Sequence, residues 1–159
     1  MKIAICADSH DNFVNAKKFL NYCKINNIQK IIHCGDWNSL EMIELFDKNF
    51  SGEIIGVLGN ADINSDEILS FTDDNKKINI EPINISVIIN NINFFVTHKK
   101  QMAKYHAENK NYDFVFYGHS HKPWLEKINK TYLVNPGTLA GLFNKASFAL
   151  YNSETKKLN

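Results

Sequence analysis

His119 and His121 stand two apart in FYGHSHKP (116–123), directly after the apolar residues 114–117. In an extended backbone, side chains at i and i+2 leave the same side. A strand continuing past Gly118 would therefore aim both imidazoles at one place. Two neutral imidazoles side by side stabilise little, whereas two aimed at a cation make a metal site. Four of the six histidines, His10, His98, His119 and His121, fall at the ends of apolar runs. Oxygen donors occupy the same kind of position: Asp8 in CADSH, Asp36 in HCGD and Asn60 in LGNAD. His33, inside an apolar run, reads as a core histidine satisfied by backbone, and His106, in polar surroundings, as a solvated one.

Three side-chain oxygens and four imidazoles are too many ligands for one tetrahedral zinc. They suit two first-row cations, with one carboxylate bridging and water in the open positions. Cysteine is missing from the set, which argues against a closed structural zinc. Each piece also has a plainer reading: Asp, Asn and Gly favour turns, and DSHDN suits a helix cap.

The elements that would have to position these residues alternate in the first half. KIAICA, KIIHCGD and GEIIGVLGN read as buried strands. Between them, DNFVNAKKFLNYCKINN sets Phe13, Ala16, Phe19, Leu20 and Cys23 at helical spacing. NSLEMIELFDKNF follows as a second helix, with Asn38 and Glu41 placed for a capping box. Such alternation implies a parallel α/β layer, and ligands of open α/β sheets sit outside the carboxyl ends of the strands. Asp8, His10, Asp36 and Asn60 would converge there. In the second half, INISVII and INFFVTH flank NN as a hairpin. QMAKYHAENK reads as a short helix and YDFVFYGH as a strand. WLEKI and TYLV flank NK as another hairpin, and SFALYN is a late strand. With no repeat or linker, residues 1–159 are expected to form one domain.

Composition sets the frame. The 159 residues are 44% hydrophobic and 22% charged, an ordinary globular balance. A net charge of +1 exerts no general pull on nucleic acid or anionic lipid. No apolar run is long enough to span a membrane, and MKIAICADSH is too short in apolar residues for a secretory signal. Cys6, Cys23 and Cys34 lie in apolar contexts and read as reduced thiols, which points to the cytoplasm.

Taken in order, DSH, GD, GNAD, TH, GHSH and NPGT, from Asp8 to Thr138, resemble the calcineurin-like metallophosphoesterase superfamily, above all its small single-domain bacterial and archaeal phosphodiesterases. The resemblance implies two β-sheets packed together with helices outside, a four-layer αββα sandwich. By position it implies Asp8, His10 and His121 on one metal, Asn60, His98 and His119 on the other, and Asp36 bridging. Asp36, Asn60 and His98 would carry the catalytic load. Asp62, Asn135 and Gly137 would support the ligands. The cofactor implied is a pair of divalent ions, manganese foremost, with Fe, Co, Ni or Zn as substitutes. Ions roughly 3.5–4 Å apart make a bridging hydroxide available near neutral pH for in-line attack on a small phosphate ester.

Two positions depart from the family's pattern. Ala61 stands where many members have a histidine that protonates the leaving group, and THKK replaces the common Gly and His after the ligand histidine. Lys99 and Lys100 are either surface charges or a point-charge grip on phosphate. The alternative reading is a non-catalytic scaffold resembling the retromer subunit of this fold, which has lost part of the ligand set. Apolar edges in the second half are compatible with a homodimer.

Overall fold

The computed structural model describes residues 1–73 and 75–159. Strands β1 (Lys2–Cys6), β2 (Lys30–His33), β3 (Glu53–Val57) and β4 (Ile78–Glu81) pair in parallel. They are linked through helices α1 (Phe13–Ile25), α2 (Leu40–Asn49) and α3 (Ser65–Asp73). Hairpin β5 (Asn84–Ile89) and β6 (Ile92–Thr97) turns on Asn90 and Asn91, both left-handed at φ 51 and 61. That backbone matches the twist of paired strands, and Asn tolerates it. Helix α4 (Lys100–Asn109) leads to β7 (Phe114–Phe116), then to the hairpin β8 (Trp124–Ile128) and β9 (Thr131–Asn135), and the chain closes with β10 (Ala149–Asn152) and β11 (Lys157–Leu158). One sheet runs β11-β10-β1-β2-β3-β4 and the other β5-β6-β7-β9-β8.

The side-chain alternation of the strands sorts three apolar clusters into layers. Ala4, Cys6, Ile31 and Ile54 face Ala16, Phe19, Leu20, Met42, Ile43 and Phe46 of α1 and α2. Their neighbours Ile3, Ile5, Ile32 and Ile55 face Phe94, Val96, Phe114 and Phe116 of the second sheet. Phe95, Val115 and Leu133 turn the other way, onto Ala103 and Ala107 of α4. The result is the expected order of helices, sheet, sheet and helix. Every helix-facing strand residue is thus one step from a sheet-facing one, as a period of two requires.

Three details differ from the sequence expectation. Helix α2 is capped by Ser39, whose hydroxyl accepts the Met42 N–H at 3.3 Å. Asn38 is not the cap: it sits at φ 88, and its N–H goes to Asp62. His106 is not simply solvated, because its ring stacks on Phe95 at 3.8 Å under α4. Helix α3 and strand β4 are additional to the elements read from the sequence. No helix among the described residues is long and apolar enough to cross a membrane.

Candidate metal centre

Parallel strands of both sheets end on the same side of the molecule. Asp8 and His10 follow β1, Asp36 follows β2, Asn60 follows β3, His98 follows β6, and His119 and His121 follow β7. Ligating atoms of Asp8, His10, Asp36 and His121 lie within 4.8 Å of one another, as do those of Asp36, His98 and His119. Asn60 joins the second group, with Oδ1 3.1 Å from His98 Nε2. Asp36 belongs to both: its Oδ2 is 3.5 Å from His10 Nε2 and 3.3 Å from His98 Nε2. All seven expected ligands therefore come together.

The route by which the histidines converge is not the expected one. The chain leaves β-geometry after Phe116, and His119 and His121 are both left-handed, at φ 67 and 56. Asp8, His10 and Asp36 are left-handed as well, at φ 54, 39 and 59. Five of the seven expected ligands thus hold a backbone form that L-residues avoid. Such strain persists where surrounding contacts over-determine it, and it concentrates at functional sites.

The restraining contacts are identifiable. Asp62, 6% exposed, accepts backbone N–H groups from Asp36 (3.1 Å), Gly59 (2.6 Å) and Asn38 (2.7 Å), tying the Asp36 loop to the Asn60 loop. Asn135 donates to the Gly118 carbonyl (2.8 Å) and to Ser120 Oγ (3.1 Å), and accepts the Gly137 N–H (2.8 Å). It braces the turn that carries both histidines. Gly59 lies so close to Asp36 that a Cβ there would overlap the carboxylate and its backbone nitrogen. One group behind the expected ligands is held by more than backbone. Buried His33 accepts the Gly35 N–H at Nδ1 (3.2 Å), so its Nε2–H donates to Ser9 Oγ (3.1 Å), and its ring stacks on Trp37 at 3.5 Å. It is a core histidine, as expected, but one satisfied partly by a side chain under the Asp8 loop.

The donor chemistry fits cations. His98 gives its Nδ1–H to the Cys34 carbonyl at 2.8 Å, which fixes the tautomer and leaves the Nε2 lone pair facing two oxygens, Asn60 Oδ1 and Asp36 Oδ2. His10 Nε2 and His121 Nε2 lie 3.1 Å apart, with Asp8 Oδ1 3.3 Å from the latter. His121 makes a long bond from Nδ1 to the Leu142 carbonyl, 3.4 Å. Acceptors facing acceptors at this spacing repel unless a positive charge lies between them.

Without that charge, protons bear the conflict. Burial pushes the Asp8 carboxyl up to about 7; His98 and the His119 N–H oppose the rise, while the Asp36 charge adds to it. Burial also works against ionised Asp36, yet the hydrogen bond and charge of His98, with the Ala61 N–H at 2.8 Å, hold it down to about 2. The Asp36 carboxylate in turn raises His98 above its ordinary range against the effect of burial. His119 and His121 are lowered, chiefly by burial, and so favour the neutral, ligating form. A cavity of about 780 Å³ lies elsewhere, between the last turns of α1 and α2 and lined by Lys17, Lys24, Lys48 and Lys77. None of the seven expected ligands lines it.

The family model of the calcineurin-like phosphoesterase superfamily domain matches residues 1–156. The chain belongs to that superfamily. A curated phosphodiesterase of Methanocaldococcus jannaschii is 34% identical to this phosphoesterase-family chain over 143 residues, spanning 89% of the chain and 86% of the relative. A solved archaeal phosphodiesterase superposes with a TM-score of 0.92 at 31% identity, over 100% of this chain and 98% of the other. Vps29 of Chaetomium thermophilum superposes at 0.74 with 14% identity, over 100% and 92%, a likeness of fold alone. The departures from the phosphoesterase pattern sit at the rim of the site. Ala61 offers only a methyl group, its N–H being spent on Asp36. Lys100 opens α4 with its Nζ 5.7 Å from the centre of the Trp124 ring, and the Lys99 charge helps lower His119.

Proposed function

We propose that this chain is a dinuclear metal-dependent phosphodiesterase acting on small phosphate esters, with residues 1–159 as its one domain. Asp8, His10 and His121 hold one cation, Asn60, His98 and His119 the other, and Asp36 is shared. The observation that carries this reading is the place of Asp36 Oδ2, 3.5 Å from a nitrogen of one cluster and 3.3 Å from a nitrogen of the other. When bound, the two ions supply an activated water for in-line attack and neutralise charge on the phosphoryl oxygens.

The chain's residues do the rest. Asp36 contributes a fixed negative charge at any pH near neutrality, consistent with its lowered pKa of about 2. His98 is locked in one orientation by the Cys34 carbonyl. Asn60, exposed at the rim, presents a neutral oxygen to the cluster and keeps an NH₂ to donate to a phosphate oxygen, where a carboxylate would repel the anion. Ala61 leaves departure of the alcohol without a proton donor at that position. The diester preference draws on the phosphodiesterase relative at 34% identity. Mixed oxygen and nitrogen ligands accept Mn, Fe, Co, Ni or Zn, and manganese is our first assignment. Three buried free thiols are compatible with a reducing cytoplasm, and the outer strands β5 and β8 with pairing of two copies. A Vps29-like scaffold shares the fold, but a scaffold need not retain Asp36, Asn60, His119 and His121 together, as this chain does.

The test is a chelated sample reloaded with each cation and assayed on 4-nitrophenyl phosphate, bis(4-nitrophenyl) phosphate and cyclic nucleotides. Diesters should be hydrolysed fastest, with nothing left after chelation. Activity that survives chelation, or no diester hydrolysis with any cation, would overturn the proposal.

A further inference from the structure

The segment after Thr138 forms a closed loop whose two ends are joined by the Thr138–Ala146 bridge. Its base is locked to the strand end that carries Asp8. Leu139 N–H donates to the Ala7 carbonyl (2.9 Å), and Ala140 N–H (3.0 Å) and Thr138 Oγ1 (2.9 Å) donate to the Asp8 carbonyl. Asn12 and Asn15 hold the loop from α1 through the Ala140 (2.8 Å) and Leu139 (3.0 Å) carbonyls.

The tip of this anchored loop does the opposite of what its composition calls for. Phe143 is 94% exposed and Leu142 47%. Phe143 also sits at φ 64, a backbone form in which a bulky residue is an outlier. Burial does not hold it there. Its position is fixed by the loop base, by left-handed Gly141 at φ 73, and by His121 Nδ1, which reaches the Leu142 carbonyl at 3.4 Å. The phenyl centroid lies 5.7 Å from the His121 ring, itself part of the ligand set. The other exposed ring at this end, Trp124, is already engaged: Lys100 Nζ lies 5.7 Å from its centre, and its Nε1–H bonds Glu126 at 3.2 Å. Among the described residues Phe143 has no ring partner besides His121, and its faces are open to solvent.

We propose that Phe143 is a stacking platform that selects phosphate esters carrying a flat aromatic group, a nucleobase or an aryl ring, close to the phosphate. The inference deepens the phosphodiesterase reading and rests on it for the seat of the phosphate. A π-face is sequence-tolerant and needs no hydrogen-bond code, so the platform selects for flatness rather than for one base. Leu142 extends the apolar surface at its edge.

The test uses two probes that share phosphate and sugar and differ only in the base. Manganese-loaded wild type, Phe143→Ala and Phe143→Trp are titrated by calorimetry with adenosine 5′-monophosphate and with ribose 5-phosphate. Wild type should prefer the nucleotide by roughly 5- to 20-fold, the lower part of the range for stacking one base on one ring. Phe143→Ala should erase the preference while ribose 5-phosphate binds as before, which also shows an intact fold. Phe143→Trp should keep it. Equal affinity for both probes in wild type, or a preference that survives in Phe143→Ala, would overturn the inference. Bis(4-nitrophenyl) phosphate hydrolysis by the same samples separates the two claims. A Phe143-dependent nucleotide preference without hydrolysis sinks the phosphodiesterase reading alone, and hydrolysis with Phe143-independent nucleotide binding sinks the platform alone.

Discussion

Asp62 touches no ligand atom, yet replacing it should damage both stability and metal binding. Its carboxylate is the acceptor for three N–H groups, from Asp36, Gly59 and Asn38, at 3.1, 2.6 and 2.7 Å. Asp62→Ala removes both carboxylate oxygens and leaves all three N–H groups without their acceptor. Leaving a buried N–H without a partner costs roughly 1–3 kcal/mol, and the Asp36 N–H is of that kind. The other two are part-buried and can recover water, so the total should be about 2–5 kcal/mol. Urea unfolding of the chelated protein reads that loss. The same substitution unties the Asp36 loop from the loop bearing Asn60. Supporting partners of this type typically change metal affinity about 10- to 100-fold, which calorimetric titration with manganese would register. Asp62→Asn should fall between, because one amide oxygen can still serve the Asp36 and Gly59 N–H pair while its NH₂ opposes the Asn38 N–H. An Asp62→Ala protein within about 0.5 kcal/mol of the parent, binding manganese with parental affinity, would refute the reasoning.

Two further outcomes can be checked. With Ala61 in place of a proton donor, rates over a series of diesters should fall steeply as the leaving-group pKa rises, since general acid help is typically worth 10²–10⁴-fold; a flat plot would contradict this. The Asp47 carboxylate, whose burial opposes ionisation, is nevertheless lowered by hydrogen bonds from Lys77 (2.8 Å) and Asn75 (3.1 Å). A lowered carboxyl stabilises the fold above the unfolded pKa and loses that contribution as pH falls through its folded value. Asp47→Asn should therefore lower the melting temperature slightly at pH 7, by the equivalent of ~0.5 kcal/mol for a partly exposed pair, and the deficit should shrink in thermal scans below about pH 4.

Much of the architecture was legible because the physics behind it is local. The unbroken apolar run in KIAIC and the i, i+3, i+4 spacing of Ala16, Phe19, Leu20 and Cys23 report burial directly. The Asn90–Asn91 turn announces left-handed backbone by residue type. The gathering of the seven candidate ligands was legible from donor chemistry at strand ends, but the way the backbone brings them together was not. His119 and His121 do not share a strand face. They converge through two left-handed residues, and nothing about histidine signals positive φ. The backing contacts through the Cys34 carbonyl and the Gly59 N–H involve groups that every residue carries, so sequence cannot single them out. Ser39 rather than Asn38 caps α2: Asn38 is held left-handed at φ 88 with its N–H on Asp62, a contact 24 residues away that sequence does not display. Phe143 escaped notice for a related reason: an aromatic in a loop reads as buried until the loop's tip is seen to face solvent.

The sharing of Asp36 between two ions is tested most directly by counting cations. Chelated parent and Asp36→Asn proteins are dialysed against the same low free manganese, and bound metal is measured by elemental analysis. Two ions per chain in the parent and well under one in Asp36→Asn are expected, because the bridge loses its charge and both sites weaken together. One ion per chain in the parent, or two retained by Asp36→Asn, would contradict it.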